Sequence, residues 1–274
     1  MTQAAETVFD EMRELQVRRK HFIAQQVSIE NRARGLILRA LGWRPDVEAA
    51  ESTPLKKRSE TILAKAMRGK PSDDFPLLAA DLEVDRRMRE PAIKARAAVE
   101  KQMRKLARDL PVYAGFAANV RGFADLGLAV IAGECGDLAN YATVSKVWKR
   151  LGLAPFNGQA GSTWRRTGGL TADEWTALGY SPKRLGQLYG VVTVPLFMAQ
   201  RAGMPYREVY LTRRAHTAIT HPEWSKKRSD NDARRIMTKA LIADLWSAWP
   251  RASQSIEHSL GLRAADSIAE RRAA

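Results

Sequence analysis

The stretch Gly158–Gly169, GQAGSTWRRTGG, places small residues, two hydroxyls, an indole and two arginines within one short segment. Residues of these types can wrap a phosphodiester. Arg165 and Arg166 would neutralise its oxygens, glycine backbone would approach closely, and the Ser162 hydroxyl is a candidate nucleophile toward phosphorus. The same letters also suit a β-turn with exposed basic residues. Upstream, Val120–Asp137 reads VRGFADLGLAVIAGECGD: an apolar residue, a glycine turn at Gly122, an apolar helix, then Gly-Asp. A helix-hairpin-helix element has this form, its turn amides and helix N-terminus meeting a phosphate. An ordinary buried helix after a tight turn fits the letters equally.

Further cations lie on expected helices. Lys146, Lys149 and Arg150 fall in ANYATVSKVWKRLGLAP, a short helix ending at Gly152; Lys183 and Arg184 open the next helical stretch. Arg234, Arg235 and Lys239 share a helix with Ile236, Leu241, Ile242, Leu245, Trp246 and Trp249, so the basic residues are expected to face solvent or phosphate. Metal chemistry is not indicated. His216 and His221 are five apart with no carboxylate between them, whereas helical ligand pairs sit four apart. Asp230 and Asp232 do not share a helix face, and the run Ser229–Asp232 reads as a helix N-cap.

The elements that must position these residues are helical. Residues 5–41 read as one helix, with Val8, Met12, Leu15, Arg19, Phe22, Gln26, Ile29, Ala33, Leu36 and Ala40 in the 4-3 spacing of a coiled-coil seam. Arg19 and Gln26 interrupt it and are candidates for fixing register. Pro45 in GWRPD ends the helix. Residues 44–76 read as a linker with a short helix near 59–68. A second long helix runs from about 77 to 110 through Pro91, with Ala95, Val99, Met103, Leu106 and Leu110 as its stripe. After Pro111 glycines become frequent and the helices shorten, with helical stretches at 182–203, 205–214 and 231–249. The expected fold is mainly α: a helical hairpin or coiled coil over 1–110, a compact helical domain over 111–250 with the helix-hairpin-helix-like element, and a flexible Ala/Ser/Arg-rich tail over 251–274.

Composition narrows the partners. The chain has 274 residues, 45 Lys+Arg against 30 Asp+Glu, and a net charge of +15. Residues 111–274 carry net +9 and residues 1–110 net +6, so the second part is the better contact surface for a polyanion. The single cysteine, Cys135, excludes an intrachain disulfide and any cysteine-clustered zinc or iron–sulfur site. No apolar run reaches the ~18 residues of a membrane span. The N-terminal MTQAAETVFDEM has no signal-peptide pattern. The expected setting is reducing, cytoplasmic and nucleoid-associated.

Taken in order, VRGFADLGLAVIAGECGD at 120–137, YATVSKVWKRLGLAP at 141–155, GQAGSTWRR at 158–166 and RSDNDARRIMTKALIADLW at 228–246 resemble the insertion-sequence transposases of the 110/116/902 group. Helices 5–110 match that family's coiled coil in order and character. The resemblance implies a mobile-element transposase that binds DNA, pairs protomers through its N-terminal helices and works with a guide RNA. Ala160 stands where the family carries its Gln-Ser-Gly serine, and Ser162 lies two residues later. The expectation is therefore a truncated or divergent DNA-binding copy, without the N-terminal DEDD domain and without a complete active site. Two alternatives stay open: an active serine-type recombinase using Ser162 with a separately supplied nuclease domain, or an RNA-binding scaffold. No cofactor is expected in this chain; Mg²⁺ would enter only with that separate domain.

Overall fold

A computed structural model describes residues 3–46, 48–70, 75–156, 159–160, 171, 174 and 181–273. The fold is mainly α. Its helices are α1 (Gln3–Ala40), α2 (Ala49–Ala66), α3 (Pro76–Arg108), α4 (Pro111–Gly115), α5 (Asp125–Cys135), α6 (Val144–Arg150), α7 (Pro182–Leu188), α8 (Val194–Ala199), α9 (Pro205–Thr220) and α10 (Lys226–Ala273). A two-residue antiparallel pairing of Pro155–Phe156 with Gln159–Ala160 is the extent of β-structure among the described residues. The chain divides into two compact units, Val17–Lys101 and Met1–Gln16 with Gln102–Ala274. The division falls inside α1 and α3, whereas the sequence suggested a boundary at 110/111. The reason is that Met12, Leu15, Met103 and Ala107 are buried within the second of these units.

Unit 17–101 is a helical hairpin capped by α2. Its ion pairs run Arg19–Glu100 (2.8 Å), Glu30–Arg89 (2.6 Å) and Arg32–Asp85 (3.4 Å). One partner number rises as the other falls, as antiparallel helices require. Arg19, Gln26 and Ala33 are buried on the expected seam, but the next buried residue is Ile37 rather than Leu36. A straight helix of 3.6 residues per turn drifts off a 3.5-residue repeat, and the stripe follows it. α1 ends in a reverse hydrogen bond from Trp43 N–H to Leu38 O (2.9 Å), so its stop is made before Pro45 is reached. α2 is much longer than the short helix expected near 59–68. Pro54 sits inside it and removes one helical hydrogen bond. Burial of Ile62, Leu63 and Ala66 against Ala33, Ile37 and Leu82 offsets that loss. Pro91 is likewise within α3, on its exposed face.

Asp85 is fully buried on the α3 seam, and neither carboxylate oxygen has a hydrogen-bond partner among the described residues. Burial raises its pKa; Arg32 opposes the rise and Asp81 adds to it. A carboxyl with a raised folded-state pKa costs stability once pH climbs above that value, and the cost vanishes as pH falls through it. Asp85→Leu is therefore expected to stabilise the protein by about 1–4 kcal/mol at pH 8. The gain should shrink toward acidic pH. Urea unfolding at both pH values reads this, and a loss of stability at pH 8 would contradict it.

In the other unit the core lies around α5, whose Leu128, Ala129, Val130, Ile131 and Ala132 are almost fully buried. This helix has no polar face because neighbours cover it all round. Gly133 is where α1 comes closest. A Cβ there would sit 2.8 Å from Gln16 Cβ and 3.0 Å from Met12 O. α10 supplies Ala233, Met237, Leu241, Ile242, Leu245 and Trp249 to the same core, and Phe9 meets Trp249 with ring centroids 6.1 Å apart. The expected cap at Ser229–Asp232 is corrected: α10 begins at Lys226, and Ser225 Oγ accepts from Arg228 N–H (3.3 Å). Beyond Trp249 the backbone stays helical to Ala273, where a flexible tail was expected. Ala and Arg are frequent in that stretch, and both favour helix.

Candidate nucleic-acid interface

A side-chain hydrogen bond links the start of α7 to the end of α6 at the candidate interface. Val147 is buried and Trp148 half-buried, which turns Lys146, Lys149 and Arg150 outward on one side of α6. Lys146 and Lys149 are three apart and Lys146 and Arg150 four apart, so they share a face. Ser181 caps α7 by accepting from Arg184 N–H (3.3 Å), and Lys183 in that first turn is exposed. Arg184 Nη1 donates to Arg150 O (2.8 Å), which holds the end of α6 beside the start of α7. Among the described residues Lys146, Lys149 and Lys183 have no acidic partner.

The arginines behave differently from these lysines. Arg184 is a structural clamp, its Nε donating to the buried Glu134 carboxylate at 2.9 Å. Glu134 also accepts from Gln16 Nε2 (2.9 Å), and its backbone carbonyl accepts from Arg150 Nε (2.9 Å). Asp137 accepts from Ala139 N–H (2.9 Å) and from Trp249 Nε1 (2.7 Å). The Glu134–Asp137 pair, quoted in the sequence only as part of a motif, thus fixes α5 to its neighbours. The one signal for it was a glutamate at the end of an otherwise apolar helix. Burial pushes the Cys135 thiol up to about 12.

The basic row on α10 is a correction. Arg234, Arg235 and Lys239 do not face solvent freely. Arg234 pairs with Asp230 (2.8 Å) and lies over Phe197, with Cζ 3.9 Å from the ring centroid. Arg235 pairs with Asp232 (2.7 Å), and Lys239 Nζ sits 3.9 Å over the Trp148 ring. Burial, then repulsion from Arg235, lowers the Lys239 pKa. Asp232 also takes Arg213 from α9 at 2.6 Å. Burial opposes its charge, but hydrogen bonds from Arg235 and Arg213 prevail and hold the pKa low. Asp230 accepts from the Tyr210 hydroxyl, and Asp244 from the Tyr206 hydroxyl at 2.9 Å. These carboxylates join α9 to α10. Among the described residues no group of three metal-ligating side chains comes together.

Gly122 has a packing explanation. Its φ is +88°, and a Cβ would meet Ala199 Cβ at 2.7 Å and Pro195 O at 2.8 Å. Gln200 Nε2 donates to Arg121 O (2.8 Å) and holds the same turn. At the following helix start, Asp125 accepts from Leu126 N–H (2.8 Å) and pairs with Arg108 (2.7 Å). A carboxylate thus already occupies the positive end of α5 that a phosphate would seek. His216 is exposed, and His221 stacks on Trp224 with centroids 4.1 Å apart. Ser162, Arg165 and Arg166 lie outside the described residues.

No protein-family model matches the chain, and comparison with curated proteins and with solved structures gives no match. Among the described residues no helix is long and apolar enough to cross a membrane.

Proposed function

We propose that this chain is a transposase-like DNA-binding protein of a mobile element, without a complete active site of its own. The observation that carries the reading is the lysine group Lys146, Lys149 and Lys183 at the ends of α6 and α7, without acidic partners among the described residues, in a chain with net charge +15. Three exposed cations near a side-chain link between two helices suit a polyanion. The ordered motifs at 120–137, 141–155, 158–166 and 228–246 supply the transposase part of the reading. Binding of this kind is backbone-directed and falls steeply with salt. Cytoplasmic, nucleoid-associated location and self-association through the N-terminal helices belong to the same proposal.

The test is binding of the purified chain to labelled duplex DNA and to structured RNA across a salt series. Mg²⁺ is present, and products are run on a denaturing gel. Lys146→Gln, Lys149→Gln and Lys183→Gln should each reduce the log–log salt slope by about 1. Salt-sensitive duplex binding without cleavage is the expected result. A covalent protein–DNA adduct would replace this reading with the serine-type recombinase and direct attention to Ser162. Exclusive RNA binding would replace it with a scaffold role, and no binding to either would remove it.

A further inference from the structure

Pro195 has no N–H, so a helix passing through it must lose a hydrogen bond. Here the chain widens just before it. Tyr189–Thr193 form a π-turn, with Val194 N–H reaching back to Tyr189 O. π-turns occur frequently at functional sites because the extra residue re-aims the side chains around it. This one leaves Tyr189 38% exposed, with its hydroxyl accepting from Arg234 Nη1 at 3.4 Å.

On the following helix Phe197 is flanked by two guanidinium groups. Arg234 Cζ lies 3.9 Å and Arg207 Cζ 4.7 Å from its ring centroid. Arg207 is also 5.0 Å from the Tyr210 ring, which meets Phe197 edge to face at 4.9 Å. Asp230 holds Arg234 and accepts from the Tyr210 hydroxyl. Arg207 has no acidic partner among the described residues. Among the described residues aromatic contact orients its plane, which leaves its N–H groups for an anion.

Exposed aromatic surface joined through Arg234 and Phe197 to a guanidinium without an acidic partner among the described residues is the chemistry of an unstacked base beside its phosphate. A paired duplex hides its base faces in the stack and has no use for Tyr189. We propose that Tyr189, Phe197, Arg207 and Arg234 form a platform for an unpaired nucleotide of single-stranded nucleic acid. The base stacks at Tyr189, and the adjacent phosphate meets Arg207. The platform uses other side chains than the lysine group on α6 and α7, and it rests on the reading of the chain as a nucleic-acid binder.

The experiment measures anisotropy of labelled oligothymidylate and oligouridylate of about 12 nucleotides, a size within the usual single-strand site range. A duplex and an abasic strand of equal length accompany them, all with the full chain. Tyr189→Ala and Arg207→Gln are each expected to weaken single-strand binding by about tenfold and duplex binding by less than about twofold. Tyr189→Phe, which keeps the ring, should retain wild-type affinity. On the abasic strand Tyr189→Ala should have no effect, because no base is left to stack. The thymidylate and uridylate arms show whether the sugar matters. Thermal melts confirm that each variant is folded.

The platform is refuted if folded variants bind the single strand like wild type, or if Tyr189→Ala weakens base-bearing and abasic strands equally. Refutation with intact, lysine-dependent duplex binding removes the platform alone. Failure of the wild-type chain to bind any of the strands removes the proposed function with it.

Discussion

Glu100→Ala is expected to destabilise the hairpin by about 3–5 kcal/mol, because it removes the carboxylate facing a buried cation. The Arg19 side chain is 1% exposed, and its Nε lies 2.8 Å from Glu100 Oε1, which also takes Arg96 at 2.8 Å. Arg96 is partly exposed and can return to water; Arg19 cannot. Replacing both Arg19 and Glu100 with Met should instead cost little or stabilise, since no desolvated charge is left. Urea unfolding of the full chain, with hydrogen exchange to locate the effect on α1 and α3, separates the two cases. Equal losses in the single and double variants would show that the charges are not what matters.

The pair also sets a pH window. Burial disfavours the charged Glu100, but the hydrogen bonds from Arg96 and Arg19 outweigh it and lower the pKa below its ordinary 4.5. A depressed carboxyl stabilises the fold at pH above its unfolded value and loses that contribution as pH falls through the folded one. Asp85 acts in the opposite direction on the same helix. Acidification thus weakens one end of the hairpin while relieving the other.

The long helices and the seam burial of Arg19 and Gln26 were legible from apolar spacing alone. The partner of Arg19 was not, because it lies 81 residues away. Spacing fixes which face a residue takes, but the register of two antiparallel helices depends on both chains of contacts. The same limit explains Arg184, whose carboxylate Glu134 lies 50 residues away. Arg234 and Arg235 are a different case: Asp230 and Asp232 stand four and three residues before them on the same helix, a spacing the sequence already offered. Lys146, Lys149 and Lys183 looked identical on paper and stayed exposed, while Lys239 is the lysine that left water, its Nζ over the Trp148 ring. A planar five-donor guanidinium suits internal carboxylates and carbonyls, whereas a strongly hydrated ammonium stays in water. Arginine and lysine therefore deserved different weights in a charge-based search for a binding face. The Phe197 platform escaped for a third reason: its arginines and rings come from three helices, and only the π-turn before Pro195 had a local cause.

Glu134→Ala carries the other large expected effect, because one side chain joins several elements. Its two carboxylate oxygens accept from Gln16 on α1 and Arg184 on α7, and both bonds are lost in the variant, whereas the backbone carbonyl that accepts from Arg150 on α6 remains. Gln16 is fully buried and the Arg184 side chain is 16% exposed, so removal strands a guanidinium and an amide out of water. The expected loss is about 3–5 kcal/mol. Glu134→Gln keeps the shape and the acceptor oxygen toward one partner, and should cost about 1–3 kcal/mol. Its amide then faces the Arg184 donor, so the loss should concentrate there. Arg184→Met added to Glu134→Met should recover stability that Glu134→Ala loses. That recovery should not extend to nucleic-acid affinity, because Arg184 Nη1 is the bond that holds the end of α6 beside α7 and so spaces Lys146, Lys149 and Lys183. Restored folding with a persistent binding defect would mark Glu134 and Arg184 as positioning residues for the lysine group. Restored folding with full binding would mean that the lysines need no such spacing.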